Sequence, residues 1–264
     1  MSFFCVNQLS AGYGKQHIVE NITFSADAGC LVGIIGANGS GKTTLLKALC
    51  GILPHRGTCR LDGVTLEQLS ARQLAKLCSY IPQRSGISID ISTLDVVLMG
   101  FNPYLGLLEK TTQSMKQTAL QALTKVGLEG KENTNYLHLS EGQKQLCILA
   151  RTLVTESKLL LLDEPESALD FRFRYQMLSL LQNYVSDGKK TAIVTLHEPV
   201  LALNHCDQLV LLSDGNISEI LYPKSDSLEK MEQMLSKIYG AISLQRCTNR
   251  GGSSYLVMLK EEEQ

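Results

Sequence analysis

Residues 36 to 44 read Gly36-Ala37-Asn38-Gly39-Ser40-Gly41-Lys42-Thr43-Thr44, a Gly-x-x-x-x-Gly-Lys-Thr loop set between a short apolar run and a helical pattern. The run Leu31-Val32-Gly33-Ile34-Ile35 ends at Gly36, and Leu45, Leu46 and Leu49 follow Lys42 at helical spacing. Strand, loop and helix therefore come in the order a phosphate-binding loop requires. Gly36, Gly39 and Gly41 permit positive φ and let successive N–H groups converge on phosphate oxygens. The helix N-terminus adds positive dipole, Lys42 neutralises charge, and Thr43 can ligate Mg²⁺. Asn38, Ser40 and Thr44 complete the loop as candidate phosphate contacts. A chain carrying this segment is expected to hold a nucleoside triphosphate on an α/β frame.

The rest of the chain supplies that frame. β-rich stretches lie around Phe3 to Leu9, Ile18 to Ser25, Leu31 to Ile35 and Gly57 to Leu61, the last closed by Asp62-Gly63, so the loop is expected within a partly antiparallel sheet. From about Arg84 to Leu153 the pattern turns helical, over Thr93 to Met99, Gln113 to Val126 and from Ser140 onward. This reads as a helical lobe inserted into the sheet domain. Strands resume at Leu159 to Leu162, Thr191 to Leu196 and Gln208 to Leu212, with a helix from Phe171 to Tyr184 between the first two. That alternation predicts a parallel sheet. The tail carries Leu228, Met231, Leu235 and Ile238 on one helical face, a stop at Gly240, and a hairpin turning at Asn249 to Gly252.

Four consecutive leucines, Leu159 to Leu162, deliver Asp163 and Glu164 at a strand end, where α/β sheets place ligands. In a chain with a phosphate loop this is a Walker B pattern. Asp163 would position Mg²⁺, and Glu164 would polarise the water that attacks the γ-phosphate.

With 264 residues, 44 % hydrophobic, the chain can bury a substantial core, and a net charge of −1 gives no electrostatic case for nucleic acid. No run approaches the length of a membrane span, and the opening residues lack a basic leader. The eight cysteines include no Cys-x-x-Cys pair, and several fall in apolar segments, so buried reduced thiols are expected rather than metal ligands or disulfides.

Leu139-Ser140-Glu141-Gly142-Gln143, with Ser140 twenty-three residues before Asp163, closely resembles the Leu-Ser-Gly-Gly-Gln signature of ABC ATPases, the nucleotide-binding subunits of ATP-binding-cassette systems. Ser140 and Gln143 also form a helix capping box, and both readings can hold together. The resemblance covers nearly the whole chain. It implies an α/β P-loop NTPase core with an N-terminal antiparallel β-subdomain and an inserted α-helical subdomain: a cassette over residues 1–223, its helical part about 84–155, and a C-terminal extension over 224–264.

The resemblance also assigns roles. Tyr13 would stack on adenine, Gln83 would join the metal and attacking water to the helical lobe, and Asp170, in Ser167-Ala168-Leu169-Asp170, would belong to the segment that crosses to a partner subunit. Asp170 could equally cap the helix from Phe171. His197 would contact the γ-phosphate. Ser140, Gly142 and Gln143 would act on ATP held by the opposite copy, so a homodimer is implied, with ATP and Mg²⁺ as ligands. Two positions depart from the family pattern: Glu141 replaces a glycine, and Glu166 stands where threonine is common. A carboxylate close to phosphate is repulsive, so either Glu141 points outward or ATP affinity across the dimer is reduced.

Within ABC ATPases, Thr93 to Gly106 and Ala71 to Lys76 look like the importer group for iron-siderophores, haem and cobalamin. Membership implies a polytopic permease, an indirect substrate-binding protein, no nucleic-acid partner, and a cytoplasmic position on the inner membrane. A soluble ABC ATPase without a transport role, or an importer of molybdate-type oxyanions, are the alternatives.

Overall fold

A computed structural model describes residues 2–83, 86–106, 108–167, 169–186 and 189–261. Arg84, the expected start of the helical lobe, and Ala168 lie outside the described residues.

Two sheets form the frame. Strands β1 (Phe4–Tyr13), β2 (Gln16–Ala26), β4 (His55–Leu61) and β5 (Val64–Thr65) make an antiparallel sheet in the order β2-β1-β4-β5. A second sheet has β3 (Leu31–Ile35), β6 (Cys78–Ile81), β7 (Leu159–Asp163), β8 (Thr191–Thr195), β9 (Gln208–Ser213) and β10 (Asn216–Leu221), in the order β10-β9-β3-β8-β7-β6. Its strands run parallel except for β10, which returns antiparallel to β9.

The antiparallel stretches expected beside the phosphate loop form a sheet of their own, the expected N-terminal antiparallel subdomain, and the loop's own strand lies in the mainly parallel sheet. Leu31–Ile35 is buried at every position, while β1 mixes buried and exposed positions. A strand covered on both faces belongs inside a parallel sheet, and one with a wet face belongs in an antiparallel layer. Alternate residues of the parallel strands feed opposite cores. Val32, Ile34, Leu159 and Leu161 pack toward the antiparallel sheet and α1 (Lys42–Leu49); Leu31, Ile35, Leu160 and Leu162 pack toward the helices that follow β6.

Between β6 and β7 run α3 (Thr93–Leu98), α4 (Gln113–Lys125) and α5 (Glu141–Leu153), which pack on one another, and α5 also meets β6. The short helix α2 (Ala71–Leu77) precedes β6, and α6 (Phe171–Val185) and α7 (Pro199–His205) flank β8. At the C-terminus, α8 (Leu228–Tyr239) is followed by the hairpin β11 (Ile242–Thr248) and β12 (Ser254–Lys260). The Asn204 side chain grips that hairpin like a backbone unit, donating to Leu256 O and accepting from Leu256 N, both at 2.8 Å.

All eight cysteines are free thiols. Burial pushes the Cys30 and Cys147 thiols up to about 12, so they titrate as inert core groups. Cys59 neighbours His55 and Glu67, but Glu67 Oε1 is already engaged by Cys59 N at 2.7 Å and His55 Nε2 at 3.0 Å. No helix among the described residues is long and apolar enough to cross a membrane.

Candidate functional site

The phosphate loop leaves β3 at the centre of the parallel sheet and enters α1 through Gly41, whose φ of 101° lies in the left-handed region. Gly39 also has positive φ, at 83°. Gly36 does not, which corrects the conformational role expected of it. Its small size answers to packing instead: a Cβ there would stand 2.2 Å from Leu212 O and 2.7 Å from Ser40 Oγ. Lys42 is 5 % exposed, and its Nζ donates to Gly36 O at 2.9 Å and Ala37 O at 3.2 Å. The ammonium thus curls back over the loop. Burial pulls its pKa below the usual lysine value, and Glu164, Asp163 and Glu166 oppose that pull. Ser40 Oγ is buried with no hydrogen-bond partner. An orphaned hydroxyl beside a lysine and a helix N-terminus fits a phosphate oxygen. Thr44 is buried on α1, while Asn38 is exposed at the loop tip.

Asp163, at the end of β7, collects hydroxyls. Thr43 Oγ1 donates to Oδ1 at 3.0 Å, Thr195 Oγ1 to the same oxygen at 3.1 Å, and Tyr80 OH to Oδ2 at 3.2 Å. Burial and the adjacent Asp163 carboxylate hold the Tyr80 phenol firmly protonated. A carboxylate, a threonine hydroxyl and room for phosphate oxygens form the all-oxygen donor set of a hard cation, so the residues present fit Mg²⁺.

Glu164 has a φ of 46°, unusual for a side chain with a Cβ and costing about 1–3 kcal/mol. Thr195 Oγ1 holds this turn by accepting Glu164 N at 2.8 Å, and Ser167 N donates to Glu164 O at 3.2 Å. The twist aims the carboxylate at two other candidate site residues, neither of which was expected to touch it. Gln83 Nε2 donates to Glu164 Oε2 at 2.8 Å, and His197 Nε2 lies 2.6 Å from the same oxygen. The three candidate catalytic side chains therefore meet at one oxygen atom. Gln83 is placed with Glu164 rather than against Thr43 and Asp163, and Gln145 Nε2 donates to Gln83 O at 2.6 Å from α5.

The other candidates stand apart. Ser140 and Gln143 close a capping box on α5, with Gln143 N donating to Ser140 Oγ at 3.3 Å and Ser140 N to Gln143 Oε1 at 3.2 Å. Gly142 lies in that first turn. Glu141 is outward, its carboxylate 2.7 Å from Lys144 Nζ. Asp170 caps α6, accepting Phe173 N at 3.0 Å. Tyr13 is 53 % exposed at the end of β1 and lines an open cleft of about 450 Å³ with His17, Pro54 and His55. The sheet that carries it packs on the loop: a Cβ on Gly41 would stand 2.6 Å from Val19 Cγ1.

Sequence reasoning missed Tyr80, Thr195, Gln145 and the anchoring use of Glu166. Tyr80 and Thr195 lie on β6 and β8, which flank β7, and Thr195 is in register with Asp163. Only strand order, which no local pattern carries, brings them to the site.

The fold and this geometry agree with what comparison finds. The ABC transporter family model matches residues 19–167. A hemin import ATP-binding protein of Bordetella pertussis is 33 % identical over 241 residues, covering 88 % of this chain and 90 % of that one. A probable iron chelatin transport ATP-binding protein of Helicobacter pylori is 33 % identical over 214 residues, covering 80 % and 84 %. Among solved structures, an inward-facing transporter described as of metal-chelate type matches with a TM-score of 0.82 at 26 % identity, covering 99 % of each chain. The chain belongs to the ABC transporter family, as the ATP-binding and ATP-hydrolysing subunit of an importer.

Proposed function

We propose that two copies of this chain power the import of a metal chelate of the iron-siderophore or haem class through a separate polytopic permease, from the cytoplasmic face of the inner membrane. The names of the relatives support the substrate class, and the Ala71–Lys76 and Thr93–Gly106 stretches support the importer group. A substrate-binding protein would act on the far side without touching this subunit. Residues 1–223 serve as the cassette, about 84–155 as its helical part, and 224–264 as an extension.

Each copy offers its Lys42 loop to one ATP and its Ser140, Gly142 and Gln143 surface to the other. The capped start of α5 suits this use, because a helix N-terminus attracts phosphate. Gly36, Asn38, Gly39, Ser40, Gly41, Lys42 and Thr44 cradle the phosphates, Tyr13 stacks on adenine, and Asp170 lies in the partner-facing segment. Thr43 and Asp163 would hold Mg²⁺, with Gln83, whose Nε2 donates to Glu164 Oε2, as a further ligand through its side-chain oxygen. When bound, Mg²⁺ neutralises developing charge on the β- and γ-phosphates. Glu164 orients a water molecule and draws its proton as the water oxygen attacks the γ-phosphorus. The bond to the β-phosphate oxygen breaks, leaving ADP and inorganic phosphate. His197 holds the γ-phosphate and the Glu164 carboxylate in one frame.

The observation that carries this reading is the convergence of Gln83 Nε2 and His197 Nε2 on Glu164 Oε2, at 2.8 and 2.6 Å. The test is gentle solubilisation of native membranes with the chain tagged, followed by identification of stoichiometric partners. A co-purifying polytopic membrane protein whose reconstituted complex hydrolyses ATP in response to a metal chelate is the expected result. Recovery without any membrane partner would overturn the transport reading.

A further inference from the structure

Glu166 stands two residues beyond Glu164, in the stretch that leads from β7 to Asp170. Its side chain is 3 % exposed, Oε1 accepts His197 N at 3.0 Å, and Oε2 is buried with no hydrogen-bond partner among the described residues. A carboxylate kept out of water at such cost needs a task that a smaller residue would not perform.

The task is visible in how the ends of β7 and β8 are tied. Two ties use Thr195 Oγ1, which donates to Asp163 Oδ1 and accepts Glu164 N. They fix β8 at the level of the metal-binding carboxylate. His197 lies beyond them, past Leu196, and its main chain is held by Glu166 Oε1. From that anchored backbone its ring reaches Glu164 Oε2 at 2.6 Å. Arg174 strengthens the same corner, donating Nε to Leu169 O at 2.8 Å and NH1 to Glu198 Oε2 at 3.3 Å. The Glu166 side chain spans the distance from its own backbone to His197 N and places an acceptor there at 3.0 Å.

We propose that Glu166 is a positioning residue for hydrolysis: it holds the His197 main chain in the register from which the imidazole reaches Glu164, and it acts on ATP only through His197. This rests on the functional reading above. What matters is the acceptor oxygen and its reach, so glutamine serves in place of glutamate and aspartate does not.

The test is a single-turnover hydrolysis cycle on the full-length chain with MgATP, using Glu166→Gln, Glu166→Asp, Glu166→Ala, His197→Ala and the Glu166→Ala/His197→Ala double variant. Glu166→Ala and Glu166→Asp should lower the rate by roughly tenfold to a hundredfold, with apparent ATP affinity changed less than about twofold. Glu166→Gln should stay within about threefold of the parent. In the His197→Ala background, Glu166→Ala should add less than about twofold, because coupled residues are not additive. An equal loss in both backgrounds, a loss carried by affinity, or an active Asp variant beside an inactive Gln variant would overturn the proposal. If Glu166→Ala does not fold, the contrast between Gln and Asp decides alone. Full activity in His197→Ala overturns the reading of His197 as well, which separates the two failures.

Discussion

Glu164 Oε2 and His197 Nε2 lie 2.6 Å apart across the ends of β7 and β8, and Glu164 reaches that contact only by adopting a φ of 46°. The strained turn is held from both sides, by Thr195 Oγ1 on Glu164 N and by Ser167 N on Glu164 O. The carboxylate is thus aimed by the protein's own hydrogen bonds, and such preorganisation lowers the cost of a chemical step.

Glu164→Gln is expected to lower ATP hydrolysis by roughly a hundredfold or more while leaving ATP affinity intact. The amide keeps the length and an acceptor oxygen for Gln83 but cannot draw a proton from water. Phosphate release and equilibrium nucleotide titration measure the two terms, and near-normal turnover would remove Glu164 from the catalytic role.

Gly36→Ala should be worse than Gly39→Ala. The new methyl at position 36 meets the Leu212 carbonyl oxygen at 2.2 Å, whereas position 39 opens on empty space and carries only the strain of its φ. Overpacking against backbone costs at least about 1–3 kcal/mol, and left-handed strain about 1–2 kcal/mol. Urea denaturation of both variants, with ATP binding alongside, checks the order; equal stability would show that the loop shifts freely.

Tyr13→Phe should bind ATP as the parent does, and Tyr13→Ala should bind it roughly threefold to tenfold more weakly. The exposed ring offers a flat face, and the difference follows from what a stacked aromatic pair is worth. A fluorescent ATP analogue reports it by titration. Unchanged affinity in Tyr13→Ala would place adenine elsewhere.

Both ring nitrogens of His205 are buried without hydrogen-bond partners among the described residues, and burial lowers its pKa below 6.5. The unfolded chain takes up this proton more readily than the folded one, so stability is lost as pH falls through 6.5 toward the lower folded value. Thermal melting between about pH 7.5 and 5.5 should show the parent dropping more than His205→Leu. Parallel curves for the two proteins would contradict the assignment.

Much of this was legible in local pattern. A phosphate loop, a run of four leucines ending in two acids, and a capped helix at Ser140 each declare themselves within a few residues, because each is a backbone device with its own residue types. The helix and hairpin of the tail were readable from Gly240 and the turn at Asn249 to Gly252 for the same reason. The division into two sheets came from the resemblance and not from local pattern, since strand pairing depends on distant residues; the one local sign was the unbroken run Leu31–Ile35, without a polar residue. Strand β10 was missed although Asp214-Gly215 precedes it, with φ of 48° and 75° at the two turn residues. That is a strong hairpin signal. Thr195 and Tyr80 had no local signature at all, for a hydroxyl at a strand end becomes a site residue only through its neighbours in the sheet.

The Asn204 clamp bears on where this protein can be cut. Ile242, Leu244 and Leu256 belong to the same buried cluster as Leu160, Leu162 and Leu201. Asn204 satisfies its amide on Leu256, and Leu244 N donates to Glu232 Oε1 at 2.5 Å. Ending the chain near Gly240 would uncover apolar surface on α7 and take Leu256 N away from Asn204 Oδ1, although Asn204 Nδ2 would keep its bond to Val200 O at 2.7 Å. Shortened versions should be judged by solubility and melting before any loss of turnover is blamed on the tail, for the last strands are part of the floor on which the proposed catalytic corner stands.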